Sequence, residues 1–181
     1  KNNYFKNLNN LKNLSFIFEI SKCLKIKFEK VFQATNNFKG LDYRQQIIYN
    51  SKKLIIINDS KSTSLSSTKL LLESFENIYW IVGGLAKKGD KFDLEKKYFN
   101  KIKAYVYGKD RYFFSRIFSK KIPNKITATL KDSLKLVFKD LSKNDQKKII
   151  LFSPSAASFD QFKNFEVRGL YFNKIIKKYI Y

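Results

Sequence analysis

Three short stretches carry side chains that could hold an anionic ligand. In residues 56–64, IINDSKSTS, a carboxylate, an ammonium and a hydroxyl recur at every second position as Asp59, Lys61 and Thr63. That set suits a phosphate or a carboxylate, although Ser62 or Thr63 could equally be only a helix N-cap. In residues 82–92, VGGLAKKGDKF, Gly83 and Gly84 permit positive φ or close backbone approach, and Lys87 follows as a movable cation. A tight turn alone would also account for the two glycines. In residues 152–169, FSPSAASFDQFKNFEVRG, Ser158 and Gln161 have capping-box spacing at the start of a last helix. Ser153, Pro154, Ser155 and the series Phe162, Phe165, Glu166, Arg168 lie outside that explanation, though phenylalanines at this spacing are more often core.

Other chemistries are excluded. With no His and a single Cys, Cys/His zinc sites and His-based triads cannot be built. Neither Gly-x-x-x-x-Gly-Lys-Ser/Thr nor Gly-x-Gly-x-x-Gly occurs, so the chain is not expected to supply a main triphosphate cradle.

The elements that must position these stretches alternate in type. Short apolar runs at residues 45–49, 54–58, 78–82, 104–107 and 149–152, with a weaker one at 126–129, read as strands. Helical spacing fits residues 64–75, 94–100, 110–119, 131–141 and 160–179. This is the pattern of an α/β domain: a doubly wound, mostly parallel, Rossmann-like sheet with helices on both faces. Two helices precede it, marked by Leu14, Phe16, Ile17, Ile20 and Leu24, then by Phe28, Val31 and Phe32. Cys23, in that apolar stretch, is expected to be a buried structural thiol. A boundary is expected near Gly40, separating residues 1–39 from a domain of residues 40–181.

The formal charge is +22, but only four of the 37 basic residues are Arg, and the 33 Lys are spread along the whole chain. A solvated basic surface is favoured over a nucleic-acid site, which would draw on clustered Arg for bidentate recognition. A free-standing basic α/β module for nucleotide or nucleic acid stays as the alternative reading, and an inactive relic as a third. No apolar run approaches the length of a membrane span, and no secretory signal is present, which favours the cytoplasm. The absence of Met, position 1 included, is expected of a chain that starts downstream of a translation start.

GLDYR (residues 40–44), NDSKST (58–63), GGLAKKG (83–89) and SPSAASFDQFKNFEVRG (153–169), in this order, closely resemble the C-terminal domain of the Mur ligases, and specifically of those that add D-glutamate. NNLKN (9–13) looks like the segment near the end of the family's central ATPase domain, so residues 1–39 would be that domain's tail and residues 40–181 the amino-acid-binding domain. Asn9 and Tyr43 stand where the family commonly has His. The resemblance implies an ATP-dependent ligase that joins D-glutamate to UDP-N-acetylmuramoyl-L-alanine through an acyl phosphate. It implies that Asp59 holds the ribose hydroxyls, that Arg44 and Lys61 sit near the phosphates, and that Asn10 and Asn13 lie by the adenine. Lys87 and Thr63 would bind one carboxylate of D-glutamate; Ser158 and the backbone around Phe159 and Phe165 would bind the other. The ligands for Mg2+ would lie upstream of Lys1 with the remaining domains, leaving this chain inactive alone and expected to be a monomer.

Overall fold

The structure, a computed structural model, describes residues 2, 5, 8–141 and 145–180, without the side chains of residues 8 and 9. The chain divides into two compact units, Lys1–Leu41 and Asp42–Tyr181. The first consists of α1 (Leu8–Cys23) and α2 (Phe28–Asn37). Val31 and Ser21 are buried there, whereas Phe16, Ile20, Leu24, Phe28 and Phe32 are exposed. Cys23 is exposed as well, against the expectation of a buried thiol. It ends α1, and its apolar neighbours Ile20 and Leu24 are themselves uncovered in this unit.

The second unit is a six-stranded mixed sheet with the order β1-β2-β6-β3-β4-β5. Its strands are β1 (Gln46–Asn50), β2 (Leu54–Asn58), β3 (Ile78–Gly83), β4 (Ile102–Tyr107), β5 (Asn124–Ile126) and β6 (Lys148–Phe152). All neighbouring pairs are parallel except β1 with β2, a hairpin closed at residues 51–53. The connecting helices are α3 (Leu65–Ser74), α4 (Arg111–Phe118) and α5 (Leu130–Asp140), and α6 (Phe165–Ile180) follows β6.

The apolar strands are continuous because both faces are covered. Ile55, Ile57, Trp80, Val82, Ala104, Val106 and Leu151 share one core with Leu65, Leu71 and Leu72 of α3 and Phe114 and Phe118 of α4. Their alternate neighbours Ile56, Ile81, Tyr105, Ile150 and Phe152 share the other with α5 and α6. Because the chain returns through α5 to insert β6 between β2 and β3, the three stretches singled out above follow three adjacent strands. Ligands in such sheets bind beyond those carboxyl ends.

Three local expectations are corrected. The last edge strand is Asn124–Ile126 rather than residues 126–129, because Ala104, Tyr105 and Val106 of β4 pair with those three residues. Residues 94–100 do not form an α-helix; Lys96–Lys101 forms a 3-10 helix. The last helix starts at Phe165, not near residue 160, and its cap is Asn164, whose Oδ1 accepts the Val167 amide at 2.8 Å. Ser158 and Gln161 therefore form no capping box: the Ser158 carbonyl accepts the Gln161 amide, and the Gln161 side chain donates to the Ala128 carbonyl. Among the described residues no helix is long and apolar enough to cross a membrane.

The sheet's opposite end carries a charge cluster. Asp140, closing α5, accepts from Lys125 Nζ at 2.7 Å, Lys103 Nζ at 3.1 Å and Tyr105 Oη at 3.0 Å. Burial alone would raise its pKa, but these donors hold it at about 2 against an ordinary 3.8. The depressed value means that the stabilisation is present above pH 3.8 and lost as pH falls toward about 2. Asp140→Asn is expected to cost about 1 kcal/mol at pH 7, the shift being discounted for solvent screening, with the difference from wild type vanishing at about pH 2. Urea unfolding at the two pH values measures it.

Candidate functional site

The loop after β2 turns on buried polar groups. Asn58, fully buried, donates from Nδ2 to the Gly169 carbonyl at 3.0 Å and to Asn173 Oδ1 at 2.7 Å, and its Oδ1 accepts the Ser60 amide. This ties the end of β2 to α6. Asp59 is also buried, with Oδ1 accepting the Gln45 amide at 3.0 Å and Oδ2 accepting Ser153 Oγ at 2.7 Å. The helix cap is neither Ser62 nor Thr63 but Ser64, which forms a reciprocal box with Ser67. That leaves Thr63 exposed at the mouth and turns Ser62 inward.

Ser62 joins a chain of buried hydroxyls. Thr68 Oγ1 lies 2.7 Å from Ser62 Oγ, 2.7 Å from Ser153 Oγ and 2.6 Å from Ser155 Oγ, and Ser153 passes the chain on to Asp59. The serines of the SPSAAS stretch are therefore the polar underlay of two loops, which explains why small hydroxyl residues follow β6.

The loop after β3 begins with two positive-φ glycines, Gly83 (φ 141°) and Gly84 (φ 130°). Leu85 and Ala157 exchange two backbone hydrogen bonds of 2.9 Å, joining this loop to the one after β6, and the Gly83 amide donates to the Pro154 carbonyl at 2.9 Å. Lys87 beyond them is exposed and takes part in none of the salt bridges among the described residues. Asp90, three residues on, turns back to accept the Leu65 amide at the first turn of α3. It fastens the Lys87 loop beside Thr63 and Ser64. The sequence reading passed over Asp90, although a carboxylate closing a glycine-lysine loop was the available signal.

Of the remaining candidates, Ser158 is buried, Phe159 is 70% exposed, and the Phe165 carbonyl accepts Ser60 Oγ at 2.8 Å. Lys61 Nζ stands 4.1 Å above the Phe165 ring. Arg44 is exposed on the approach to β1 and lowers the Asp59 pKa through its charge. Tyr43, at φ 60°, accepts the Lys61 amide with its carbonyl, and its ring lies against Gly169, where a Cβ would collide with it. Asp59, Lys61, Thr63, Lys87 and Ser158 thus sit on three loops tied to one another. Asn10 and Asn13 belong to the first unit, where Asn13 lines an apolar cavity of about 360 Å³ with Phe5, Ile17, Ala34, Thr35 and Phe38. The Asn9 side chain lies outside the described residues. Among the described residues there is no group of three or more His, Cys, Asp or Glu that could hold a metal ion.

Burial pushes Asp59 from 3.8 up to about 6, against the opposing effects of the Ser153 and Gln45 hydrogen bonds and of Arg44 and Arg168. Between those values the folded state binds more protons than the unfolded one, so stability falls as pH rises through the window. The full penalty at pH 8 is about 3 kcal/mol. Asp59→Asn is expected to recover about 2–3 kcal/mol at pH 8 and far less at pH 4. The amide still accepts from Gln45, and the hydroxyl chain reverses so that Ser153 accepts. Thermal unfolding at both pH values tests this; a destabilised variant at pH 8 would show that the ionised carboxylate is held favourably.

Over 87% of its length the chain superposes on a pseudomurein peptide ligase type C from Methanothermus fervidus, with a TM-score of 0.56, 16% identity and 33% of that chain covered, a likeness of fold. No family model matches the chain. In sequence it is 33% identical over 93% of its length to a UDP-N-acetylmuramoylalanine--D-glutamate ligase of Wolbachia sp. subsp. Brugia malayi (strain TRS), and 34% identical over 98% to the corresponding ligase of Rickettsia prowazekii (strain Madrid E). Over nearly its whole length, then, the chain is homologous to the C-terminal part of the Mur ligases. The relatives it matches are UDP-N-acetylmuramoylalanine--D-glutamate ligases, and it spans 34% to 40% of their length.

Proposed function

We propose that this chain is the part of an ATP-dependent D-glutamate ligase of peptidoglycan precursor synthesis that binds the amino acid and closes over the nucleotide. The observation that carries the reading is the convergence of Thr63, Lys87 and Ser158 on tied loops at the ends of three adjacent strands, in a chain homologous to such ligases. An amino acid with two carboxylates needs a cation, hydroxyls and backbone amides held close together. Lys87 and Thr63 take one carboxylate; Ser158 and the backbone at Phe159 and Phe165 take the other.

On the nucleotide side, Arg44 and Lys61 supply positive charge at the approach to β1 and in the loop after β2. The first unit is then the tail of the ATPase domain. The Mg2+ ligands come from elsewhere in the ligase, and no step is assigned to residues here through that metal. In the reaction the carboxylate of UDP-N-acetylmuramoyl-L-alanine takes the γ-phosphoryl group of ATP, releasing ADP. The D-glutamate amine then attacks the acyl carbon, phosphate departs with the C–O electron pair, and the nitrogen loses its proton. This chain's residues bind and orient the amine donor for that attack. The cytoplasm, where the nucleotide substrates are made, is the proposed setting.

Titrating the 181-residue chain with D-glutamate while following amide NMR shifts tests the reading. Shifts confined to the segments around Thr63, Lys87 and Ser158, absent with L-glutamate, are expected. Silence at all three segments would overturn it.

A further inference from the structure

Arg168 belongs to the FDQFKNFEVRG series, and the reading above gives it no task. It is fully buried on α6, at 0% exposure. Its fork donates from Nε to Ser60 Oγ at 3.1 Å, from Nη2 to the Ser60 carbonyl at 2.7 Å and from Nη1 to the Ala156 carbonyl at 2.9 Å. It forms no salt bridge among the described residues, and Asp59 and Asp160 act on it only at longer range. A cation buried without a carboxylate partner is costly, so its retention calls for what the fork itself secures.

The fork hydrogen-bonds two loops and lies against a third. Ser60 lies in the loop after β2 and Ala156 in the loop after β6, while a Cβ on Gly84, in the loop after β3, would come within 3.4 Å of Nη1. The Ser60 hydroxyl, held by Nε, passes the connection on to the Phe165 carbonyl at the start of α6. Helix, strand ends and loops therefore meet at one guanidinium.

We propose that Arg168 is a positioning residue that locks the three loops into one body, so that Lys61, Thr63, Lys87 and Ser158 are preorganised before any ligand arrives. Only the consequence for D-glutamate rests on the function proposed above; the locking of the loops does not.

Hydrogen exchange on the ligand-free 181-residue chain tests it, comparing wild type with Arg168→Lys, Arg168→Met and Ser60→Ala. The amides of Asp59, Lys61, Leu85 and Ala157 donate to the carbonyls of Phe152, Tyr43, Ala157 and Leu85 in turn and can be read directly. Their protection is expected to fall about tenfold or more in both Arg168 variants and by less in Ser60→Ala, with the amides of β3 and β4 unchanged. Because the fork rather than the charge does the holding, Arg168→Lys should resemble Arg168→Met. Restoration by lysine, a loss spread evenly over loops and sheet, or outright unfolding of every variant would overturn the proposal by making Arg168 a charge or a general stabiliser. A wild-type chain that ignores D-glutamate yet shows the local exchange pattern would sink the ligase reading and leave this one standing.

Discussion

Gly83→Ala is expected to remove about 4 kcal/mol of stability, a large fraction of the roughly 5–15 kcal/mol typical of a folded domain, and to do so by disconnecting the site from the sheet. Gly83 ends β3 in register with Tyr107 of β4, at a φ of 141° that L residues rarely adopt. A Cβ there would be driven into the Tyr107 carbonyl oxygen, with the same residue's amide nitrogen and carbonyl carbon close behind. Those atoms are backbone in a parallel pair and cannot rotate aside as a side chain could. Backbone strain of about 1–3 kcal/mol and overpacking of similar size therefore add. The Gly83 amide also reaches the Pro154 carbonyl, so the movement needed to relieve the clash pulls on the loop after β6. Gly89→Ala is the control. It too has positive φ, 76°, but nothing lies within 4 Å of its added Cβ, and a cost of about 1 kcal/mol is expected. Urea unfolding of both variants decides the matter; equal small losses would mean that the β3 end is free to relax.

The contrast between these glycines illustrates what was legible in the chain. The central strands could be read almost to the residue because β2, β3, β4 and β6 are covered on both faces and must be unbroken apolar runs. Edge strand β5 could not, since its three residues are half-exposed or exposed and only backbone pairing defines them. The start of α6 was misread for a related reason. Ser158 and Gln161 have the right spacing for a box, but the loop first has to deliver Ala157 to Leu85, which delays the helix to Phe165.

Within the site, Asp59, Lys61, Thr63 and Lys87 were recognisable because they are chemically conspicuous where they stand. The residues beneath them were not. Thr68 meets Ser153 and Ser155 across more than 80 positions, and nothing local marks a threonine in α3 as a hydrogen-bond hub. Arg168 would be taken for a surface residue by type, and its burial follows only from the folding of α6 against the loops after β2 and β6. Cys23 shows the converse, an apolar helical setting that proved exposed because the helical unit leaves much of its own stripe uncovered.

Lys87→Ala is expected to weaken D-glutamate binding by about 2–5 kcal/mol, the scale for deleting one member of a desolvated charge pair. Lys87 is exposed before the ligand arrives, so part of its hydration is given up on binding and the lower end of that range is the expected one. Two kcal/mol is about thirtyfold in dissociation constant. The substitution leaves the loop itself in place, because the backbone there is held by the Leu85–Ala157 exchange and by Asp90 at the Leu65 amide, neither of which uses the lysine side chain. Thermal stability should therefore stay within about 0.5 kcal/mol of wild type, as for other exposed positions. The two readouts separate a binding residue from a folding one. Lys87→Arg sharpens the comparison: it keeps the charge on a planar fork, so it should recover affinity only in part if the carboxylate is met by a point charge. An unchanged dissociation constant in Lys87→Ala, measured by the NMR titration that detects the wild-type complex, would remove Lys87 from the carboxylate site and leave Thr63 without its cation.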